Sequence, residues 1–103
     1  MNEFELKRDG EVIEVVFAGD LTASVVPELK SALQRVLEEG GTQVNFDFEA
    51  TTIIDSTGIG LLIATYNSLV KKNGVVRVVN VSDEIFRLLQ TMRLERRISV
   101  SKR

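Results

Sequence analysis

A change in the spacing of apolar residues restricts the fold of this chain more than any other feature of its sequence. Val44, Phe46 and Phe48 alternate with polar residues, which is the period of a β-strand with one polar face. A second apolar set recurs every three or four residues and consists of Ile59, Leu62, Ile63, Tyr66, Leu69 and Val70. That spacing is typical of one side of an α-helix, so we expect Tyr66 to lie in the core. A strand followed by an amphipathic helix is the basic unit of α/β folds.

The same patterns recur along the rest of the chain and predict a hairpin, three helices and up to five strands. The predicted strands cover residues 4–8, 12–18, 44–48 and 75–79, with a short terminal strand at Ile98 and Val100. The predicted helices begin near Pro27, within residues 53–60 and at Ser82. Asp9-Gly10 favours positive φ and is the predicted hairpin turn. Apolar residues at consecutive positions of 12–17 and 75–79 predict that these strands are covered on both faces.

The β-β-α-β-α-β-α order implies a hairpin followed by right-handed crossovers between parallel strands. The expected architecture is therefore an α/β fold, with a small mixed sheet and about three helices packed on it. A chain of 103 residues has room for one domain with one core, and no linker, internal repeat or low-complexity segment divides it. We expect a single domain over residues 1–103.

The composition excludes several classes of function. The chain has no His and no Cys, so it lacks the commonest general base, thiolate nucleophiles and the usual transition-metal ligands. A net charge of −2 leaves no basic surface at domain scale for nucleic acid. No apolar run approaches the roughly 20 residues of a membrane helix, and no signal peptide is recognisable. We therefore expect a cytoplasmic protein with no metal or cofactor, no nucleic-acid partner and no direct membrane insertion.

Residues 53–60, Ile-Ile-Asp-Ser-Thr-Gly-Ile-Gly, are the best candidate for a functional site. An apolar run breaks here into a carboxylate, two hydroxyls and two glycines at the start of a helix, where backbone N–H groups lack partners. Such a corner suits a phosphate or a protein partner, although Asp, Ser and Thr also occur there simply as helix caps. The two glycines do not complete a dinucleotide-binding motif, and no Gly-Lys-Ser/Thr follows as in a P-loop.

This part of the sequence resembles a family signature. The run Asp-Ser-Thr-Gly-Ile-Gly follows a strand and opens an apolar helix that ends in Lys71-Lys72-Asn73-Gly74. In this position it is similar to the signature of STAS domains, specifically those of bacterial anti-sigma factor antagonists. The resemblance extends from the turn at Gly19 to the helix that ends near Leu94. It implies a STAS-like fold and a regulatory role without enzymatic activity.

The resemblance also implies a partner-switching mechanism. In this family the unphosphorylated antagonist binds an anti-sigma factor that is also a serine kinase, and this binding releases the sigma factor. The kinase phosphorylates the hydroxyl residue directly after the Asp, and a serine phosphatase removes the phosphate. Carried over to this chain, Ser56 is the phosphoacceptor and there is no catalytic residue. The expected partner-binding residues are Thr22, Asp55, Ser56, Thr57, Gly58, Ile59 and Gly60.

Two positions depart from the family pattern. The turn after the second strand commonly reads Gly-x-Leu/Ile-Asp, whereas here Thr22 replaces the acid. We expect Thr22 either to hydrogen-bond Ser56 or to cap the first helix. Arg93 stands where glycine is frequent before Leu94. The Thr22 substitution keeps open a second function, that of a STAS-type accessory subunit of a lipid or anion transporter that is not phosphorylated. A third possible function is that of a scaffold component in a larger assembly.

Overall fold

The computed structural model describes residues 3–103 and contains five strands, three α-helices and one 3-10 helix. The strands are β1 (Phe4–Asp9), β2 (Val12–Phe17), β3 (Gln43–Asp47), β4 (Val75–Val81) and β5 (Ser99–Lys102). The helices are α1 (Val26–Glu38), α2 (Ser56–Val70) and α3 (Asp83–Thr91), and the 3-10 helix is Leu94–Arg96. The predicted order of elements is confirmed, and the 3-10 helix is the element that the sequence patterns did not predict.

The five strands form one sheet in the order β1-β2-β3-β4-β5. β1 and β2 are antiparallel, whereas β2, β3, β4 and β5 are parallel neighbours. Helices connect the parallel strands, so the predicted mixed α/β sheet is confirmed. The hairpin loop is Gly10-Glu11 rather than Asp9-Gly10, because Asp9 still pairs with Val12. Gly10 supplies the positive φ of 62° that this tight connection requires.

The helices cover one face of the sheet in the part of the chain that the structure describes. Alternate side chains of the three central strands are buried on this face, namely Ile13, Val15, Phe17, Val44, Phe46, Val76 and Val78. Their neighbours on the opposite face remain accessible, and Val16 is 39% exposed. The prediction that residues 12–17 and 75–79 are covered on both faces is therefore wrong. β-branched side chains fit a pleated surface even where it is solvated, so the sequence pattern alone does not separate the two cases.

The helices pack their apolar sides on the covered face. α1 buries Leu29, Leu33 and Leu37, as its spacing predicts. The buried residues of α2 are Gly58, Ile59, Leu61, Leu62, Thr65 and Leu69. Ile63 and Val70 are exposed, and Tyr66 is half-buried rather than in the core, so the predicted buried side of α2 is partly wrong. α2 has more apolar residues than one side of a helix can hold, and its sequence therefore does not identify the buried side.

Three phenylalanines support the carboxyl ends of β2 and β3. The rings of Phe17 and Phe48 stack with centroids 4.8 Å apart, and Phe46 lies 6.1 Å from Phe17 and 6.2 Å from Phe48. Phe17 ends β2 and Phe48 directly follows β3. This buried layer is therefore the base from which the loops after both strands begin, and close packing leaves it little room to shift.

Gly58 and Gly60 lie close together in α2 but differ in their surroundings. A Cβ atom on Gly58 would lie 2.7 Å from the Leu21 carbonyl oxygen and 2.8 Å from Ile54 Cγ2, whereas one on Gly60 would meet nothing within 4 Å. We expect Gly58→Ala to lower the free energy of unfolding by about 1–3 kcal/mol because the methyl group overlaps its neighbours. Gly60→Ala should raise it by about 0.5–1 kcal/mol, since alanine favours a helix. Urea unfolding of both variants measures these changes, and changes of the same sign would contradict the close approach at Gly58.

Candidate functional site

Two loops meet at the edge of the sheet where β2 and β3 end. The first loop, residues 18–25, joins β2 to α1, and the second, residues 48–55, joins β3 to α2. Leu21 and Ile54 pair as a single parallel bridge. The Leu21 N–H donates to the Ile53 carbonyl at 3.0 Å, and the Asp55 N–H donates to the Leu21 carbonyl at 3.2 Å. The two loops thus form one surface, which we call the corner, at the strand ends where α/β folds commonly bind ligands.

The Asp20 carboxylate ties the first loop to the second. Its Oδ1 atom accepts hydrogen bonds from the N–H groups of Thr52 at 2.9 Å and Ile53 at 3.0 Å, and from the Thr52 hydroxyl at 3.0 Å. The buried Thr51 hydroxyl adds a bond of 2.6 Å to the Gly19 carbonyl. Neither Asp20 nor Thr51 was among the predicted site residues, although both fix the shape of the corner.

The Asp55 carboxylate makes the reciprocal tie from the second loop to the first. Its Oδ2 atom accepts a hydrogen bond from the Ala23 N–H at 3.0 Å. Its Oδ1 atom accepts from the Thr57 hydroxyl at 2.6 Å and from the Gly58 N–H at 2.9 Å, which makes Asp55 the N-cap of α2. One side chain therefore starts the helix and joins the two loops, and it sets the position of Ser56.

Hydrogen bonding lowers the pKa of both carboxylates, which are ionised at neutral pH. The hydrogen bond from the Thr57 hydroxyl, followed by that from the Gly58 N–H, lowers the pKa of Asp55 from its ordinary value of 3.8. The N–H groups of Thr52 and Ile53 lower the pKa of Asp20 in the same way. The surrounding segments, residues 18–27 and 48–63, contain no Lys or Arg. These segments are therefore acidic, and within them the N-terminus of α2 is the source of positive potential, while Arg103 contacts the second loop from elsewhere in the chain.

Ser56 is the first residue of α2, and its side chain is exposed. Asp55 accepts from Thr57 and Gly58, and the Ser56 hydroxyl takes part in no side-chain hydrogen bond among residues 3–103. Thr57 is also exposed, but its hydroxyl is held by Asp55 at 2.6 Å. The two adjacent hydroxyls thus differ in hydrogen bonding: that of Thr57 is bound to Asp55, whereas that of Ser56 is open to a phosphoryl donor or a partner.

The glycine and isoleucine residues of the motif divide into buried and exposed positions. Gly58 and Ile59 are buried and support the corner from below. Gly60 is exposed one helical turn after Ser56. The structure therefore brings the motif residues together, with Ser56, Thr57 and Gly60 as its accessible part.

The Thr22 side chain has neither of the roles expected of it. It is half-buried, its hydroxyl lies 3.1 Å from that of Ser24, and no hydrogen bond joins it to Ser56 in the described part of the chain. The N-cap of α1 is Val25, which has no side-chain cap. Thr22 contributes to the start of α1 through its carbonyl instead, which accepts from the N–H groups of Val25 and Val26.

Ile53 lies in the candidate segment 53–60 but was not among the expected partner-binding residues. Its side chain is 57% exposed beside Asp55, whereas Ile54 is buried. In an extended segment successive side chains point to opposite sides, so the sequence could have predicted that one of Ile53 and Ile54 is buried and the other exposed.

Arg103, near the other end of the chain, is a further residue of the corner that the sequence analysis did not predict. Its guanidinium donates to the carbonyls of Phe48 and Thr51 at 3.3 Å and so braces the second loop.

The chemical groups available at the corner are hydroxyls, carboxylates and backbone N–H groups. Within residues 3–103 no three His, Cys, Asp or Glu side chains cluster in a way that could hold a metal ion. None of the helices in this range combines the length and the apolar character needed to cross a membrane.

The ionised state of Asp55 permits a pH test of its structural role. Its folded pKa is lowered, so its contribution to stability is complete at neutral pH and is lost as pH falls from about 4 through the folded pKa. Asp55→Asn keeps one acceptor oxygen, but its NH2 group would face the Ala23 N–H. We expect the variant to unfold at a lower urea concentration than the wild type at neutral pH, and this difference should shrink as pH falls from about 4 through the lowered folded pKa, because protonation of the wild-type carboxylate removes the charged cap.

Asp9→Asn is the matched control for this test. It makes the same chemical change beside the hairpin loop, where Asn-Gly is as favourable as Asp-Gly. We expect no comparable loss of stability at neutral pH. A deficit in Asp55→Asn that stayed the same between neutral and acid pH would contradict the role of Asp55 as a charged cap.

Known proteins share both this fold and parts of this sequence. The family model described as "STAS domain" matches residues 3–103. The anti-sigma-B factor antagonist of Staphylococcus aureus is 32% identical over 77 residues, which are 75% of this chain and 71% of that protein. A crystal structure of a Thermotoga maritima protein matches 97% of this chain and 86% of its own with a TM-score of 0.88 at 18% identity. The phosphorylated form of the Bacillus cell fate determinant SpoIIAA matches 94% of this chain and 89% of its own with a TM-score of 0.79 at 20% identity. Since the family match covers every residue that the structure describes, this chain belongs to the STAS domain family.

Proposed function

We propose that this chain is an anti-sigma factor antagonist whose partner binding is controlled by phosphorylation of Ser56. The observation that carries the proposal is the exposed Ser56 hydroxyl, which makes no side-chain hydrogen bond within residues 3–103 and is held at the start of α2 by the Asp55 cap. The Staphylococcus aureus relative is an anti-sigma-B factor antagonist, and SpoIIAA has a phosphorylated form. Both relatives support a role of this kind.

The proposed cycle has three protein partners. The unphosphorylated chain binds an anti-sigma factor with serine kinase activity, and the sigma factor is thereby released. The kinase then phosphorylates Ser56, and a serine phosphatase restores the free hydroxyl. The chain is the substrate of both enzymes and needs no catalytic residue or cofactor of its own. Because sigma factors act with RNA polymerase, the cycle takes place in the cytoplasm.

The unmodified corner offers a partner both apolar and hydrogen-bonding contacts. Ile53 is 57% exposed and supplies an apolar side chain beside the Ser56 hydroxyl. Thr22, Thr57 and Gly60 complete the accessible surface that we assign to the partner. The other residues expected to bind the partner act from beneath it: Asp55 fixes the first turn of α2, and Gly58 and Ile59 bring that turn against Leu21 and the core.

A phosphate on Ser56 would change binding more than it changes folding. It adds about −1.5 to −2 charges and three acceptor oxygens to a corner that already holds ionised Asp20 and Asp55. Within the free chain the N-terminus of α2 favours that charge by about 0.3–1 kcal/mol. In a packed interface the same charge must be desolvated, which costs several kcal/mol unless the partner pairs it. The phosphate therefore weakens the complex while the fold persists.

Phosphorylation can be tested with the serine-kinase anti-sigma factors encoded in the same genome. After incubation with ATP, we expect intact-mass measurement to find one phosphate on the wild type and none on Ser56→Ala. Ser68→Ala is the matched control, because Ser68 is also an exposed serine of α2 but lies three turns further along, and it should be phosphorylated like the wild type. Modification of Ser56→Ala would contradict the assignment of Ser56.

The effect of the phosphate on affinity is a second prediction. We expect the phosphorylated chain to bind the anti-sigma factor at least about 10-fold more weakly than the unmodified chain, with only a small change in the midpoint of urea unfolding. Calorimetric titration of the two forms measures the difference. Equal affinities would contradict the switch.

The second candidate function is that of an accessory subunit of a transporter, and the observation that supports it is the absence of an acid at position 22. It would be favoured if no kinase modified Ser56 and the chain co-purified with a transporter ATPase.

A further inference from the structure

A groove of about 310 Å³ lies between α2 and the segment that follows α3. Ile63 and Tyr66 line it from α2, and Met92, Arg93 and Arg97 line it from the other side. Two of these apolar side chains are partly in solvent, since Ile63 is 36% exposed and Met92 is 48% exposed. The groove is thus an apolar depression with guanidinium groups on one wall.

Positive charge is concentrated on that wall. Arg93 and Arg97, which line the groove, and the neighbouring Arg96 are all exposed, although the chain as a whole carries a net charge of −2. The ion pairs within residues 3–103 are Lys7–Glu5, Arg8–Glu39 and Lys102–Asp83. None of these pairs neutralises the three arginines. The wall therefore has charge available for an anionic group of another molecule.

The backbone at Arg93 is in the left-handed region. Its φ of 59° follows directly on Met92, the C-cap of α3, at a position where glycine is the usual residue. A non-glycine residue is less stable than glycine in this conformation because its Cβ crowds the backbone. Arg93 therefore lowers the stability of the fold in this conformation, and its side chain lies at the groove.

A continuous exposed stripe of α2 leads from the corner to the groove. Ser56, Gly60, Ile63 and Asn67 are spaced by three or four residues, so they lie on one side of the helix, and all four are exposed. The rise of an α-helix makes this stripe about 16 Å long. Gly60 leaves open space in its middle. A single partner can therefore cover both ends.

We propose that this groove is a second docking site for the anti-sigma factor that binds the corner, and that it takes an acidic segment carrying a large apolar side chain. The apolar side chain would insert between Ile63 and Met92, and its neighbouring carboxylates would pair with Arg93 and Arg97. This inference rests on the proposed function of the corner. An acidic protein segment fits better than nucleic acid, because the floor of the groove is apolar and only two of its lining residues, Arg93 and Arg97, are basic.

The test measures binding of the full chain to the anti-sigma factor that forms a complex with the wild type. We expect Arg97→Gln and Ile63→Ser each to weaken binding about 10-fold, and Arg97→Gln also to reduce the dependence of the association rate on salt. Arg93→Gly is the sharpest variant, because it should raise the unfolding temperature by relieving the left-handed conformation and yet weaken binding. A merely structural role of Arg93 would move both quantities in the same direction. Arg35→Gln, which removes an exposed arginine from α1, should leave affinity unchanged.

The outcomes separate this proposal from the one on which it rests. If no anti-sigma factor of the same genome bound the wild type, the proposed function itself would fail. If one bound and tolerated Arg97→Gln, Arg93→Gly and Ile63→Ser without loss, only the second docking site would be overturned. An equal loss in Arg35→Gln would also overturn it, because the effect would then be general charge attraction. Binding to anionic phospholipid vesicles that required Arg97, with unchanged affinity for the anti-sigma factor, would reassign the groove to a membrane surface.

Discussion

Two carboxylates that cross between neighbouring loops determine the geometry of the corner. Asp20 reaches from the first loop to backbone N–H groups of the second, and Asp55 reaches from the second loop to the Ala23 N–H of the first. The donors are mostly backbone groups, whose positions are set by the parallel pairing of β2 with β3 and by the phenylalanine layer beneath. The hydrogen bonds between the loops thus fix the site to the end of the sheet, although it consists of loops. Asp55 also caps α2, so the same ionised group fixes the loops and the helix on which Ser56 lies.

Local patterns in the sequence were sufficient for the element order and for the start of α2. Alternation at Val44–Phe48 and the Asp-Ser-Thr-Gly run depend on neighbours in the chain, and such interactions can be recognised from sequence alone. The tie from Asp20 to Thr52 and Ile53 spans more than 30 residues, and nothing near Asp20 distinguishes it from an ordinary turn aspartate. Thr22 shows the same limit, because its side chain turns to Ser24 and only its carbonyl serves α1.

Errors about the sheet and α2 have a different physical origin. Val16 is apolar yet 39% exposed. Both strand formation and burial favour β-branched residues, so an apolar residue in a strand does not by itself predict burial. In α2, Ile63 and Val70 extend the apolar pattern beyond the side that faces the sheet, and Thr65 is buried because its hydroxyl bonds to the Leu61 carbonyl within the helix. The buried Thr65 and the exposed Ile63 are the reverse of what an apolar pattern predicts for these two side chains. An apolar excess of this kind on a surface helix is itself informative, since it marks a face that a partner can cover.

The two ends of the exposed stripe of α2 differ in charge, and this difference constrains how the proposed switch works. The corner has two ionised carboxylates and no Lys or Arg in residues 18–27 and 48–63, with Arg103 in contact with its second loop, whereas the groove is lined by Arg93 and Arg97. A phosphate on Ser56 makes the acidic end more negative and leaves the basic end unchanged, because about 16 Å of helix exceeds the Debye length at physiological ionic strength. The Ser56 hydroxyl has no role in the ties made by Asp55, so the modification leaves the cap of α2 in place. A partner that contacts both ends would then lose the corner while the arginines still attract it. The expected consequence is a faster dissociation rate with little change in the association rate.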